Sequence, residues 1–108
     1  MWIFLSDSFL SAVASHEPDM LLVRARHEGD IPAVFPSAEV VADAGTDYPY
    51  RALVSRTLVA RAIADRVTSI DYPNFKATVQ DEIRHKAYRN VWRNMREFGR
   101  RHSEEPQT

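Results

Sequence analysis

The spacing of apolar residues changes period partway along the chain, and that change predicts the order of its elements. Before Ser55 the apolar positions alternate in short runs, and from Ser55 onward they return every three or four residues. Trp2–Leu5 and Phe9–Ala14 are β-favouring runs separated by Ser6-Asp7-Ser8, which predicts a tight turn or bulge. His16-Glu17-Pro18-Asp19 is a turn cluster, because Pro18 cannot continue a strand. Met20–His27 then reads as a half-buried strand. Leu21, Val23 and Ala25 lie on one face, and Leu22, Arg24 and Arg26 on the other. Glu28-Gly29-Asp30 ends it. Asp30 is placed to cap a short helical turn over Ile31–Phe35, with Pro32 tolerated in its first turn. Glu39–Ala42 predicts a weak strand and Tyr48–Val54 a firmer one, at an edge or a strand start because of Pro49.

The helical half starts at Ser55, an N-cap residue, followed by Leu58, Val59, Ala62, Ile63, Ala64, Val67 and Ile70 at helical spacing. Asp71-Tyr72-Pro73-Asn74 breaks this helix. Thr78 with Asp81 or Glu82 resembles a capping box at the start of the longest helix, over about residues 79–100, with Gly99 placed to end it early. Strands followed by helices predict an α+β fold. The expected arrangement is an antiparallel sheet of four or five strands, with two C-terminal helices packed on one face. Its order is ββαββαα-like, with a ferredoxin-like variant as the nearest type. Residues 1–102 are expected to form a single domain, and 103–108 a frayed tail.

Composition narrows the chemistry. There is no cysteine, which removes disulfides, thiolate catalysis and cysteine-based zinc sites and fits a reducing compartment. The apolar N-terminus has no Lys or Arg before Arg24 and is interrupted at Asp7, so it reads as strand rather than as a secretory signal. No run approaches the ~18 apolar residues of a membrane span. A cytoplasmic protein with no membrane partner is expected.

Charge is sorted along the chain. Residues 1–50 hold two arginines, Arg24 and Arg26, against eight acids, whereas residues 51–102 hold twelve basic residues against five acids. The formal net charge of −1 conceals this asymmetry, which bears on partners more than on fold. Much of the basic excess has one address. At about 100° per residue, Lys86, Arg89, Arg93, Arg96 and Arg100 fall in an arc about 80° wide on the long helix. Ile83, Ala87, Tyr88, Val91, Met95 and Phe98 form a separate apolar arc, and His85 and Trp92 sit on the boundary. Glu97 lies beside the row and is expected to neutralise little of it. Arginine forks match phosphate and carboxylate, while Trp92 and His85 offer stacking or anchoring surfaces. The competing reading is a solvated helix face, paired with acids of the N-terminal half in the same protomer or across a homodimer. The sequence pI of about 6.4 is far below that of a dedicated nucleic-acid module.

Other candidates are weaker. His16, His27, His85 and His102 form no H-x-x-x-H or H-E-x-x-H spacing. A metal site from His27, Glu28 and Asp30, or an Mg²⁺ site built on Asp7, defines a metal-dependent nuclease reading. Against it, Asp7 between two serines reads first as a turn former. No glycine-rich phosphate loop or G-x-S-x-G nucleophile elbow is present. No cofactor and no metal is expected, and no catalytic residue is assigned. Tyr72 and Phe75, between the helices, read as plugs over the core. Tyr48 and Tyr50, on one strand face, could join Tyr72 in an exposed aromatic patch of the kind that anchors a partner.

Met1-Trp2-Ile3-Phe4, Leu22-Val23-Arg24-Ala25-Arg26, Asp47-Tyr48-Pro49-Tyr50-Arg51, Ile70-Asp71-Tyr72-Pro73-Asn74-Phe75-Lys76 and Arg84-His85-Lys86-Ala87-Tyr88 with Val91-Trp92 are distinctive segments. In these, over nearly its whole length, the chain resembles a family of short uncharacterised proteins from bacterial genomes, phages and other mobile elements. The resemblance implies one compact domain and transfers no catalytic residue. Its setting implies a small inhibitor or adaptor acting on a host machine, such as a defence system. Three functional expectations follow. The first is a non-enzymatic protein that binds a larger protein or nucleoprotein complex. The second is a nucleic-acid binder using the arginine row, and the third the small nuclease.

Overall fold

In the computed structural model, residues 1–43 and 45–104 are described. The chain divides into two compact units, Met1–Asp71 and Tyr72–Thr108. The first unit contains β1 (Trp2–Leu5), β2 (Ser8–Ala14), β3 (Met20–Ala25), α1 (Asp30–Val34), β4 (Tyr50–Ser55) and α2 (Arg56–Thr68). The second contains a 3₁₀ turn (Phe75–Thr78) and α3 (Glu82–Glu104).

The α+β class holds, with a four-stranded antiparallel sheet and two long helices that follow it in sequence, as in a ferredoxin-like type of fold. The strands run as a meander in the order β1-β2-β3-β4. Leu5 pairs with Ser8, so Ser6 and Asp7 alone make the first turn, as their polar character requires. Because side chains alternate along a strand, register sorts the sheet into two faces. Ile3, Leu10, Val23, Ala25, Ala52 and Val54 lie on one face, and the cluster they form is completed by Ile31 and Phe35 from the α1 segment and Val59 of α2. The opposite face carries Trp2, Phe4, Phe9, Ser11, Leu22, Arg24, Arg51 and Leu53.

Several boundaries differ from the sequence reading. Asp30 is not a cap but the first residue of α1, with Gly29 before it. Its buried carboxylate instead accepts a hydrogen bond from the Phe9 amide at 2.9 Å, tying the start of α1 to β2. The weak strand over Glu39–Ala42 reduces to a single bridge between Val41 and Arg51. β4 starts at Tyr50, which leaves Tyr48 and Pro49 outside it. Ser55 caps α2 as expected, its hydroxyl accepting from the Leu58 amide at 3.0 Å. That helix stops at Thr68, and Ile70 lies beyond it, exposed.

In the second unit Thr78 ends the 3₁₀ turn, with its hydroxyl donating back to the Phe75 carbonyl, and lies too far before Glu82 to cap α3. Asp81 takes that role, accepting from the Ile83 amide at 3.0 Å. Gly99 does not end the helix. α3 continues to Glu104, with the Ser103 hydroxyl on the Gly99 carbonyl. Of the tail expected over 103–108, the first two residues are helical and 105–108 lie outside the described residues. Among the described residues, no helix is long and apolar enough to cross a membrane.

Candidate interaction surfaces on α3 and the sheet

The long helix brings its basic residues into one row. Lys86, Arg89, Arg93, Arg96 and Arg100 are all exposed, and His85 beside them is half-buried. Their spacing of three and four residues keeps them within the same arc of the helix. Near the start of the row a shallow cavity of about 390 Å³ is lined by Val79, Gln80, Glu82, His85, Lys86 and Arg89.

Arg100 departs from the expectation for the row. Its guanidinium is clamped between two carboxylates, at 2.5 Å from Glu97 and 2.8 Å from Glu104. Glu97 also reaches Arg101 at 3.6 Å. Hydrogen bonding from Arg100 holds the Glu97 carboxyl below its ordinary range. Glu97 therefore neutralises the C-terminal end of the row, because one turn of helix brings a long arginine side chain back to it. Among the described residues, the cations of the row without a carboxylate partner are Lys86, Arg89, Arg93 and Arg96.

Trp92 is 45% exposed, with the Lys76 ammonium 3.9 Å from its ring centroid and the Arg96 guanidinium 5.7 Å from it. It is thus an indole already engaged by cations from the 3₁₀ turn and from α3 itself. The connecting segment packs on the same side of α3. Tyr72 lies 6.0 Å from Phe75, and Phe75 stacks on Tyr88 at 5.9 Å with the rings 17° from parallel. These aromatics, read from sequence as plugs over a core, form a ring stack on α3. Tyr88 is the one buried residue of that helix.

The rest of the apolar arc stays uncovered. Ile83 is 83% exposed, and Val91, Met95 and Phe98 are exposed as well. This pattern is more strongly amphipathic than that of α2, and burial follows it at only one residue.

The tyrosines of the first unit behave differently from expectation. Tyr48 is 7% exposed and cannot belong to an exposed aromatic patch. Because it precedes β4 rather than sitting in it, its ring turns under two arginines, with the Arg24 and Arg26 guanidinium carbons 4.6 and 4.4 Å from its centroid. Tyr50 is half-buried against the sheet core. Arg26 is also held by Asp47, donating to its backbone carbonyl at 2.9 Å with the carboxylate at 3.9 Å.

The residues of the nuclease reading are engaged elsewhere. Asp7 receives two hydrogen bonds from Arg66 of α2, at 3.0 and 3.2 Å. Burial pushes its carboxyl up, but the Arg66 hydrogen bonds and charge, with the Ser8 hydroxyl, outweigh this and hold it below its ordinary value. His27 Nδ1 lies 3.4 Å from Asp30 and accepts from the Gly29 amide at 3.2 Å, which makes it part of the turn into α1. Among the described residues, no group of three or more histidines and carboxylates is placed to hold a metal ion.

Sequence reasoning did not find the arginines of the sheet. Arg24 and Arg51 are direct partners across β3 and β4, on the face opposite the core. The alternation of Leu22, Arg24 and Arg26 was the available signal, but the strand pairing that brings Arg51 alongside is not local in sequence.

No family model matches the chain, and no curated protein or solved structure matches it.

Proposed function

We propose that the protein is a non-enzymatic interaction module that uses α3 to bind a larger protein or nucleoprotein complex. The observation that carries this reading is the uncovered apolar arc of α3, where Ile83, Val91, Met95 and Phe98 are exposed along one side of an otherwise charged helix. An amphipathic helix gains stability by laying its apolar face into a groove, with anchors at three- and four-residue spacing. The row from Lys86 to Arg96 runs along the same helix and favours a groove rimmed by acidic residues, because complementary charge steers encounter and fixes register. The phage and mobile-element setting of the resembling family makes a host defence complex the first class of target to examine.

The deciding experiment is co-purification from the native host, identification of the partner, and measurement of affinity for purified components. The double variant Arg89→Glu/Arg93→Glu and the double variant Met95→Ser/Phe98→Ser should each weaken binding roughly tenfold or more, as for truncated interface anchors. Circular dichroism should remain that of the parent. Unfolding on charge reversal makes the row structural and defeats the reading, as does undiminished binding by both variants.

A further inference from the structure

A second surface lies in the first unit and is built without any residue of α3. Both backbone groups of Arg51 are hydrogen-bonded to Val41, at 3.0 Å through its amide and 2.8 Å through its carbonyl. Arg24 and Arg51 are therefore the non-hydrogen-bonded kind of antiparallel pair, the closer kind, with Cα atoms about 4.5 Å apart. Like charges directly opposite destabilise a sheet. Here neither arginine has a carboxylate partner among the described residues. Arg24 donates to the Ser11 hydroxyl at 2.8 Å and Arg51 to the Thr46 hydroxyl at 2.9 Å. The Nε of each is buried without an acceptor. Tyr48 stacks on Arg24 and helps to hold its guanidinium in place. Two positioned guanidiniums, poorly neutralised and sharing one sheet face, form a receptor for an oxyanion.

The rest of the same face is rich in aromatic side chains. Trp2, Ser11, Arg24 and Arg51 are successive cross-strand partners, so they form one row over all four strands. Trp2, at the far end, is 70% exposed. Next to that row, Phe4 and Phe9 pack with ring centroids 4.6 Å apart, and Phe9 lies 6.4 Å from Trp2. A cavity of about 520 Å³ adjoins Arg51 and is lined also by Ala14, Ser15, His16, Glu17, Leu22 and Leu53. Aromatic faces beside arginines on an open sheet are the means by which single strands are held, with bases stacked and phosphates paired. We propose that this face binds single-stranded nucleic acid, with a backbone phosphate at the Arg24/Arg51 pair and a base on Trp2.

The test is fluorescence anisotropy at low salt with a labelled single-stranded thymidine oligonucleotide and its uridine counterpart. Binding is expected, and it should weaken as salt rises. Arg51→Gln and Trp2→Ala should each weaken it about tenfold or more, the scale of a lost phosphate pair or stacking platform. Arg89→Glu/Arg93→Glu should leave it within about twofold, because that row lies on α3. Trp2→Ala alters an exposed side chain, so it keeps the test decisive should Arg51→Gln fail to fold. The proposal is overturned by absence of oligonucleotide binding at low salt, or by binding that survives Trp2→Ala while charge reversal on α3 removes it. Protection of the arginine side chains by inorganic phosphate, without oligonucleotide binding, also overturns it and leaves a small-anion site.

Discussion

The two units of the chain both carry hydrophobic patterns and put them to different use. In the first, the alternating residues of four strands meet Ile31, Phe35 and Val59 in one buried cluster. In the second, α3 has a better-defined apolar stripe than α2, yet it buries Tyr88 alone and leaves Ile83, Met95 and Phe98 exposed. Amphipathic patterning states which side of an element gains from being covered. It does not state what covers it. The first unit answers from its own sequence, whereas α3 buries only Tyr88 of its stripe, and the proposed function assigns the exposed remainder to a partner.

Substitution should expose this difference most strongly at matched apolar positions. Leu10 is 1% exposed in the sheet core, and Leu10→Ala should cost about 2–5 kcal/mol through lost burial and the cavity left behind. Met95→Ser on α3 should stay within about 0.5 kcal/mol, as for a surface residue without such a role. Paired urea titrations of the two variants check both. A large loss for Met95→Ser would mean that the apolar arc is covered in the isolated protein, and the contrast between the units would disappear.

A smaller effect is expected at Asp30, the buried polar joint of the first unit. Asp30→Ala leaves the Phe9 amide without its acceptor and removes the tie from α1 to β2. The expected loss is about 1–3 kcal/mol, the scale of leaving a buried donor unpaired. Amide exchange at Phe9 should accelerate in step with the lost stability. Unchanged protection there would show that the hydrogen bond adds nothing to the sheet.

Legibility in the sequence follows the same division. The strands, the cap at Ser55 and the α+β class were readable because each depends on nearest neighbours or on a single period. The row on α3 was readable for the same reason. What escaped was set by contacts distant in sequence. Asp30 looked like a cap because its partner, Phe9, lies 21 residues away. Tyr48 looks in sequence like an exposed strand residue because the arginines that cover it, Arg24 of β3 and Arg26 just beyond its end, are more than 20 residues away. The Arg24/Arg51 pair needs the register of β3 on β4, which no local pattern supplies. Glu97 was misjudged for a different reason: helical angle alone placed it beside the row, while the reach of the Arg100 side chain decides whether it pairs.

The smallest expected effect compares ion pairs in the two units. Asp7 and Arg66 are 59 residues apart, so their pair ties the β1–β2 turn to α2 and exists only in the folded chain. The pairs of Arg100 with Glu97 and Glu104 lie within one stretch of helix and need only that helix to form. The Asp7 carboxyl is held below its ordinary value of 3.8, so the folded state binds its proton more weakly than the unfolded state does. Its contribution is complete above that ordinary value and is lost as pH falls through the lowered one. Because the side chain is half exposed, solvent screening limits the pair to about 0.2–1 kcal/mol. Asp7→Asn should therefore lower the unfolding midpoint slightly at neutral pH, and the gap from the parent should close as the solution is acidified below the ordinary carboxylate value. Glu97→Gln should reduce helicity near the end of α3 without moving the urea midpoint of the sheet. A constant gap for Asp7→Asn across the acid range would show that the lost stability comes from turn geometry, not from the charge on Arg66.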